Sequence, residues 1–125
     1  MLQKVLWLAL AGACGTVSRF AVYELASKTK VAHLPLGTFT VNILGSFLFG
    51  LIYVLAQRKM SISNEMRVIL LVGFIGSFTT FSTFAFETAH MLKTSQWAMA
   101  FGNVLGQTAL GMAALGIGVF VGRSI

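Results

Sequence analysis

Polar side chains set inside long apolar runs are the residues of this chain best suited to handle a solute. In GTFTVNILGSFLFG, from Gly37 to Gly50, Thr38 and Asn42 stand at i and i+4 and share one helical face. The Asn42 amide has donors for an anion and an acceptor for its own orientation, and it suits an interhelical hydrogen bond equally well. The run VILLVGFIGSFTTFSTFAF, from Val68 to Phe86, carries Gly73, Gly76, Ser77, Thr79 and Thr80 in its middle and is followed by Glu87. Such a cluster gives up helix propensity and offers hydroxyls that compete for backbone partners. A helix broken near Gly76 would release carbonyl oxygens for protein groups or a bound ion to satisfy; an intact helix using its glycines for close packing is the alternative. Beyond that point Phe81 and Phe84 share a face, beside a polar stripe of Thr80, Thr83 and Glu87. A phenyl ring has a positive edge, so two such edges beside a hydroxyl track suit an anion without a full positive charge, although aromatic pairs at this spacing more often pack as core. In the last run Asn103 and Gln107 are four apart, with Thr108 beside them.

The acidic inventory excludes most enzyme chemistry. There is no Asp, and Glu24, Glu65 and Glu87 are the only carboxylates, so Ser-His-Asp chemistry, paired-carboxylate hydrolysis and acidic metal cages lack their parts. Neither a GxxxxGK[ST] loop nor an Asp to take a phosphoryl group is present, which argues against a pump. Cys14 stands alone, with no second thiol for a disulfide or a metal site, and reads as a small buried apolar residue.

The elements that position these groups follow from composition. Of 125 residues, 57% are hydrophobic and 10% charged, where a soluble domain has about a quarter charged. Four apolar runs, about 5–23, 37–56, 68–86 and 97–121, are each near the roughly 20 residues that cross a hydrocarbon core as a helix. They are too long and unbroken for barrel strands, so the expected class is an all-α membrane protein, one domain over 1–125. Lys4 and the small residues Ala11–Cys14 resemble a signal region, but cleavage there would cut the first span, and a retained helix is expected. Lys4, Arg58, Lys59, Arg67 and Arg123 would flank one side, and Arg19, Lys28, Lys30 and Lys93 the other. That balance sets no clear orientation, leaving a single weakly specified topology or insertion both ways. The net charge of +6 is then a headgroup feature rather than a nucleic-acid signal. Gly102/Gly106 and Gly118/Gly122, with Gly12 and Gly15, suggest tight helix contacts within or between chains.

GTFTVNILGSFLFG, the GFIGSFTTFSTFAFET segment from Gly73 to Thr88, and a first span with Gly12, Gly15 and Arg19 together resemble the bacterial fluoride channel family, Fluc or CrcB. The resemblance covers all four spans. It implies an antiparallel, dual-topology homodimer in the inner membrane, with fluoride pores and a structural sodium ion (Na+) at the interface. By that resemblance the third helix breaks near Gly76, and backbone carbonyls of Gly76 and Thr79 hold the sodium. Phe81 and Phe84 would supply aromatic edges, Asn42 a donor, and Ser82 and Thr83 hydroxyls. Thr38 and Glu87 would lie near the pore entrance, and Arg19 would serve pore-mouth electrostatics or structure. The fourth span departs from the family pattern: Thr108 is the nearest hydroxyl candidate, and Met112 falls where another would be expected.

The expected function is passive, fluoride-selective export that protects the cell. A small four-helix, proton-coupled multidrug exporter needs a membrane-embedded carboxylate, for which Glu87, beyond the third run, is the only candidate. A non-transporting assembly subunit would leave the polar residues of the spans unexplained. His33 and His90 carry only surface or structural expectations.

Overall fold

The computed structural model describes residues 1–29, 35–58 and 62–125; Lys30, His33, Lys59 and the side chain of Arg58 lie outside the described residues. Its elements are α1 (Leu2–Ser27), α2 (Leu36–Arg58), α3 (Asn64–Val68), a π-helical segment (Ile69–Ile75), α4 (Gly76–Phe78), α5 (Phe81–Lys93) and α6 (Trp97–Ser124). Among the described residues four stretches are long and apolar enough to cross a membrane: Leu2–Ser27, Leu36–Gln57, Asn64–Lys93 and Trp97–Ser124. Each contains one of the expected apolar runs and extends past it. Glu87, expected beyond the third run, therefore lies inside the third stretch.

Outside and inside are inverted relative to a water-soluble bundle. Leu6, Leu10, Val17 and Phe20 of α1 and Leu105, Leu110, Ile117 and Phe120 of α6 are exposed, whereas Thr38, Thr80, Asn103 and Gln107 are buried. Hydrocarbon tolerates an apolar exterior at no cost and forces polar groups to find partners within the protein. Cys14 is on the outer face too, and not in the interior as expected. The inward face of α1 runs instead through Leu8, Ala11, Gly12 and Gly15.

Without a hydrophobic drive between helices, close backbone approach holds the bundle together. A Cβ on Gly118 would strike the Phe47 carbonyl, and one on Gly50 would strike the Leu115 carbonyl. The neighbours advance together, Phe39 near Gly106, Phe47 near Gly118 and Val54 near Gly122, so α2 and α6 run side by side in the same direction. A Cβ on Gly15 would meet the Phe74 carbonyl and Ser77, which seats α1 on the π-helical segment and α4. The two GxxxG pairs divide: Gly122 is packed against Val54, whereas Gly102 has nothing among the described residues within 4 Å of a Cβ.

Candidate functional site

The third span is interrupted where two threonines leave the helical region. Thr79 has φ −81 and ψ 160, and Thr80 has φ −148 and ψ 112. Gly76, around which the break was expected, is itself helical, with φ −61 and ψ −32. The difference has a physical reason: a helix restarting in an apolar setting needs acceptors for its first N–H groups, and glycine offers none. Thr80 does, as an N-cap whose Oγ1 accepts from the Thr83 N–H at 3.2 Å.

Asn42 of α2 completes the interruption from the neighbouring helix. Its Oδ1 accepts from the Thr80 N–H at 2.8 Å, and its Nδ2 donates to the Thr80 carbonyl at 3.1 Å. One side-chain amide thus pairs both backbone groups of the residue at the gap, as an adjacent strand would. The Thr80 and Thr83 N–H groups, the i+4 partners that would close the ladder onto the Gly76 and Thr79 carbonyls, are engaged elsewhere. Arg19 Nη1 donates to the Thr79 carbonyl at 3.4 Å, the long end of hydrogen-bond range.

From Asn42 a line of amides runs into α6. Asn42 Nδ2 also donates to Gln107 Oε1 at 2.7 Å, Gln107 Nε2 to Asn103 Oδ1 at 2.8 Å, and Asn103 Nδ2 to Thr88 Oγ1 at 2.9 Å. Thr88 Oγ1 ends the line on the Phe84 carbonyl at 2.8 Å. Every link donates in the same sense. The Thr80 N–H sets that sense, because it requires Asn42 to present Oδ1 to the gap and Nδ2 to Gln107. Asn103 and Gln107, four apart in the sequence with Thr108 beside them, are therefore the inward polar residues of α6, while Thr108 lies exposed. Their i, i+4 spacing within an apolar helix was the available signal.

A second group lies on α1, α2 and α5. Thr38, fully buried, donates to Glu87 Oε1 at 2.7 Å and pairs with the Tyr23 hydroxyl at 2.7 Å. Since the one Thr38 hydrogen goes to Glu87, Tyr23 is the donor to Thr38. Glu87 Oε2 is buried without a hydrogen-bond partner among the described residues. Tyr23 is a member that sequence reading missed, since nothing in its own span marks it.

The rings lie at the start of α5. Phe81 and Phe84 have centroids 5.6 Å apart and planes tilted by 49°. Phe81 is 78% exposed on the single chain, and Ser82 is exposed beside it. Thr80 Oγ1 is within 3.0 Å of Thr83 Oγ1 and 3.3 Å of Ser82 Oγ. A cavity of about 340 Å³ adjoins the interruption, lined by Asn42, Ser46, Ile75, Thr79, Thr80 and Phe81. Another of about 460 Å³ is lined by Thr16, Arg19, Phe20, Tyr23 and Thr83. Among the described residues no group of three or more His, Cys, Asp or Glu could hold a metal. Hydroxyls, amides and ring edges can solvate an ion; they offer no activated nucleophile.

Residues 6–119 match the family described as CrcB-like protein, Camphor Resistance (CrcB). The chain is 46% identical to the fluoride-specific ion channel FluC of Nitrosococcus oceani over 125 residues, all of both chains. It is 40% identical to FluC of Maridesulfovibrio salexigens over 124 residues, 99% of this chain and 98% of that one. It is 44% identical to FluC of Solidesulfovibrio magneticus, again over all of both chains. The interrupted, amide-braced third span and the apolar exterior thus belong to a multi-pass membrane protein, and the chain is a member of the CrcB-like family.

Proposed function

We propose that the chain is a passive fluoride-selective channel of the bacterial inner membrane, acting as an antiparallel homodimer. The carrying observation is end-to-end similarity, at up to 46% identity, to proteins named fluoride-specific ion channels. The chemistry of the polar groups supports it. Fluoride is strongly hydrated, so a pathway must replace its lost water without holding the ion too tightly to release. Asn42, Ser82, Thr83 and Thr38 are moderate donors, Phe81 and Phe84 supply positive ring edges, and Thr108 stands on the exposed side of α6. Glu87, tied to Thr38, sets local charge near one end. Passive export is sufficient: fluoride enters acid-exposed cells as neutral HF, dissociates, and leaves as an anion down the membrane potential.

Pairing of two chains is supported by the outward display of Gly76, Phe81 and Ser82, which a second copy would enclose. A structural sodium ion fits the carbonyls of Gly76 and Thr79, since their ladder partners are engaged elsewhere and backbone oxygens suit a hard cation. Bound there, the ion would be coordinated by carbonyl oxygens that the interruption frees from the helical ladder. Arg19, at 3.4 Å from the Thr79 carbonyl, would have to yield that position.

Liposomes carrying the purified protein and loaded with fluoride or chloride test the function. Passive fluoride efflux at an ion-selective electrode, with no chloride efflux, is expected; equal or absent release overturns the reading. For the ion, purification in a sodium-free buffer should lower the thermal stability of the pair, and identical melting with and without sodium over long equilibration removes sodium from the structure.

A further inference from the structure

The Asn42 amide has two hydrogens, and both are engaged: one on the Thr80 carbonyl at 3.1 Å, the other on Gln107 Oε1 at 2.7 Å. Asn42 is thus a donor with nothing free to give, although it lines the cavity beside Phe81 and Thr80. The Thr80 link belongs to the bracing of the interruption, because the same amide also accepts the Thr80 N–H. The Gln107 link carries no backbone and is the one that can exchange. Gln107 is 7% exposed and held by its own donation to Asn103, so its oxygen stays aimed at Asn42.

We infer that Gln107 is a specificity- and rate-determining residue of the pathway: its Oε1 is an internal acceptor that occupies the Asn42 amide and must be displaced by a passing anion. This rests on the channel reading above. The physical consequence is a levelled binding energy. A bare buried amide donor would attract a desolvated fluoride strongly, because the alternative is an unpaired N–H in a low-dielectric interior. With Gln107 present, the alternative is a short hydrogen bond already made. The ion then gains only the difference between its own bond and that one, and it leaves readily when the Gln107 oxygen returns. Selectivity follows in the same direction, since a large, weakly accepting anion such as chloride competes poorly with a carbonyl oxygen.

The test is the fluoride-concentration dependence of efflux from liposomes for wild type, Gln107→Met, Asn42→Ala and the double variant. Met conserves most of the volume and cannot accept the Asn42 hydrogen. The half-saturating fluoride concentration of Gln107→Met is expected to fall about tenfold, the equivalent of ~1.4 kcal/mol, together with the maximal rate. In the Asn42→Ala background the same substitution should leave half-saturation unmoved. A loss of rate without a shift in half-saturation, or a shift that persists without Asn42, overturns the inference and leaves the channel intact. Absence of fluoride efflux from wild type overturns the channel reading itself. Should Gln107→Met fail to reconstitute, Gln107→Glu retains an acceptor, and its half-saturation is expected to rise; a fall overturns the proposal.

Discussion

Asn42 performs two tasks with one amide, and substitutions there separate bracing from conduction. Asn42→Leu leaves the Thr80 N–H without its acceptor and removes the side-chain donor to the Thr80 carbonyl, for an expected loss of about 1–3 kcal/mol, read as a lower thermal transition in detergent. A loss under about 1 kcal/mol would show that water or another side chain takes over the gap. Phe81→Ile should behave in the opposite way. The ring is 78% exposed on the single chain, so its truncation should leave the fold of that chain intact while fluoride efflux falls about tenfold, a barrier increase of ~1.4 kcal/mol. Unchanged efflux removes the ring from the pathway. Residue types were legible at this scale, partners less so. Thr38 and Asn42 could be assigned to one face by spacing, but periodicity names a face and never the helix opposite it. Gln107 and Asn103 found their partners, and Tyr23 entered the site, only when the backbone brought their spans together.

Helices obey the same division. The four spans follow from the apolar runs because each must satisfy its backbone internally, whereas the place of the interruption depends on who receives the freed N–H groups. Glycine content pointed to Gly76; the cap at Thr80 and the amide across from it decided otherwise. The π-helical segment over Ile69–Ile75, on which α1 packs through Gly15, has no compositional mark at all. Close packing is testable at single atoms. Gly118→Ala sets a methyl against the Phe47 carbonyl, which backbone cannot yield cheaply, and should cost about 1–3 kcal/mol of thermal stability. Gly102→Ala meets nothing within 4 Å and should be neutral on the single chain. Equal effects at the two sites would mean that the helix approach is looser than the structure has it.

At the scale of the whole molecule the scarcity of charge governs how the chain enters a membrane. With Cys14 replaced by Ser and a single cysteine placed at Lys93, an impermeant thiol reagent added to one side of sealed membranes should label about half of the chains, with disruption exposing the rest. Labelling of nearly all or nearly none before disruption would establish one orientation and remove the antiparallel pair. The outward-facing Phe81 ring also has a genetic consequence. In the proposed pair this ring would lie between copies and be shared property, so a defective chain would spoil every pair it joins. Cells making equal amounts of wild type and Phe81→Ile would hold only about a quarter of their pairs free of the lesion under random association. Fluoride tolerance in such cells should fall below that of cells carrying half the dose of wild type alone, which makes the allele dominant.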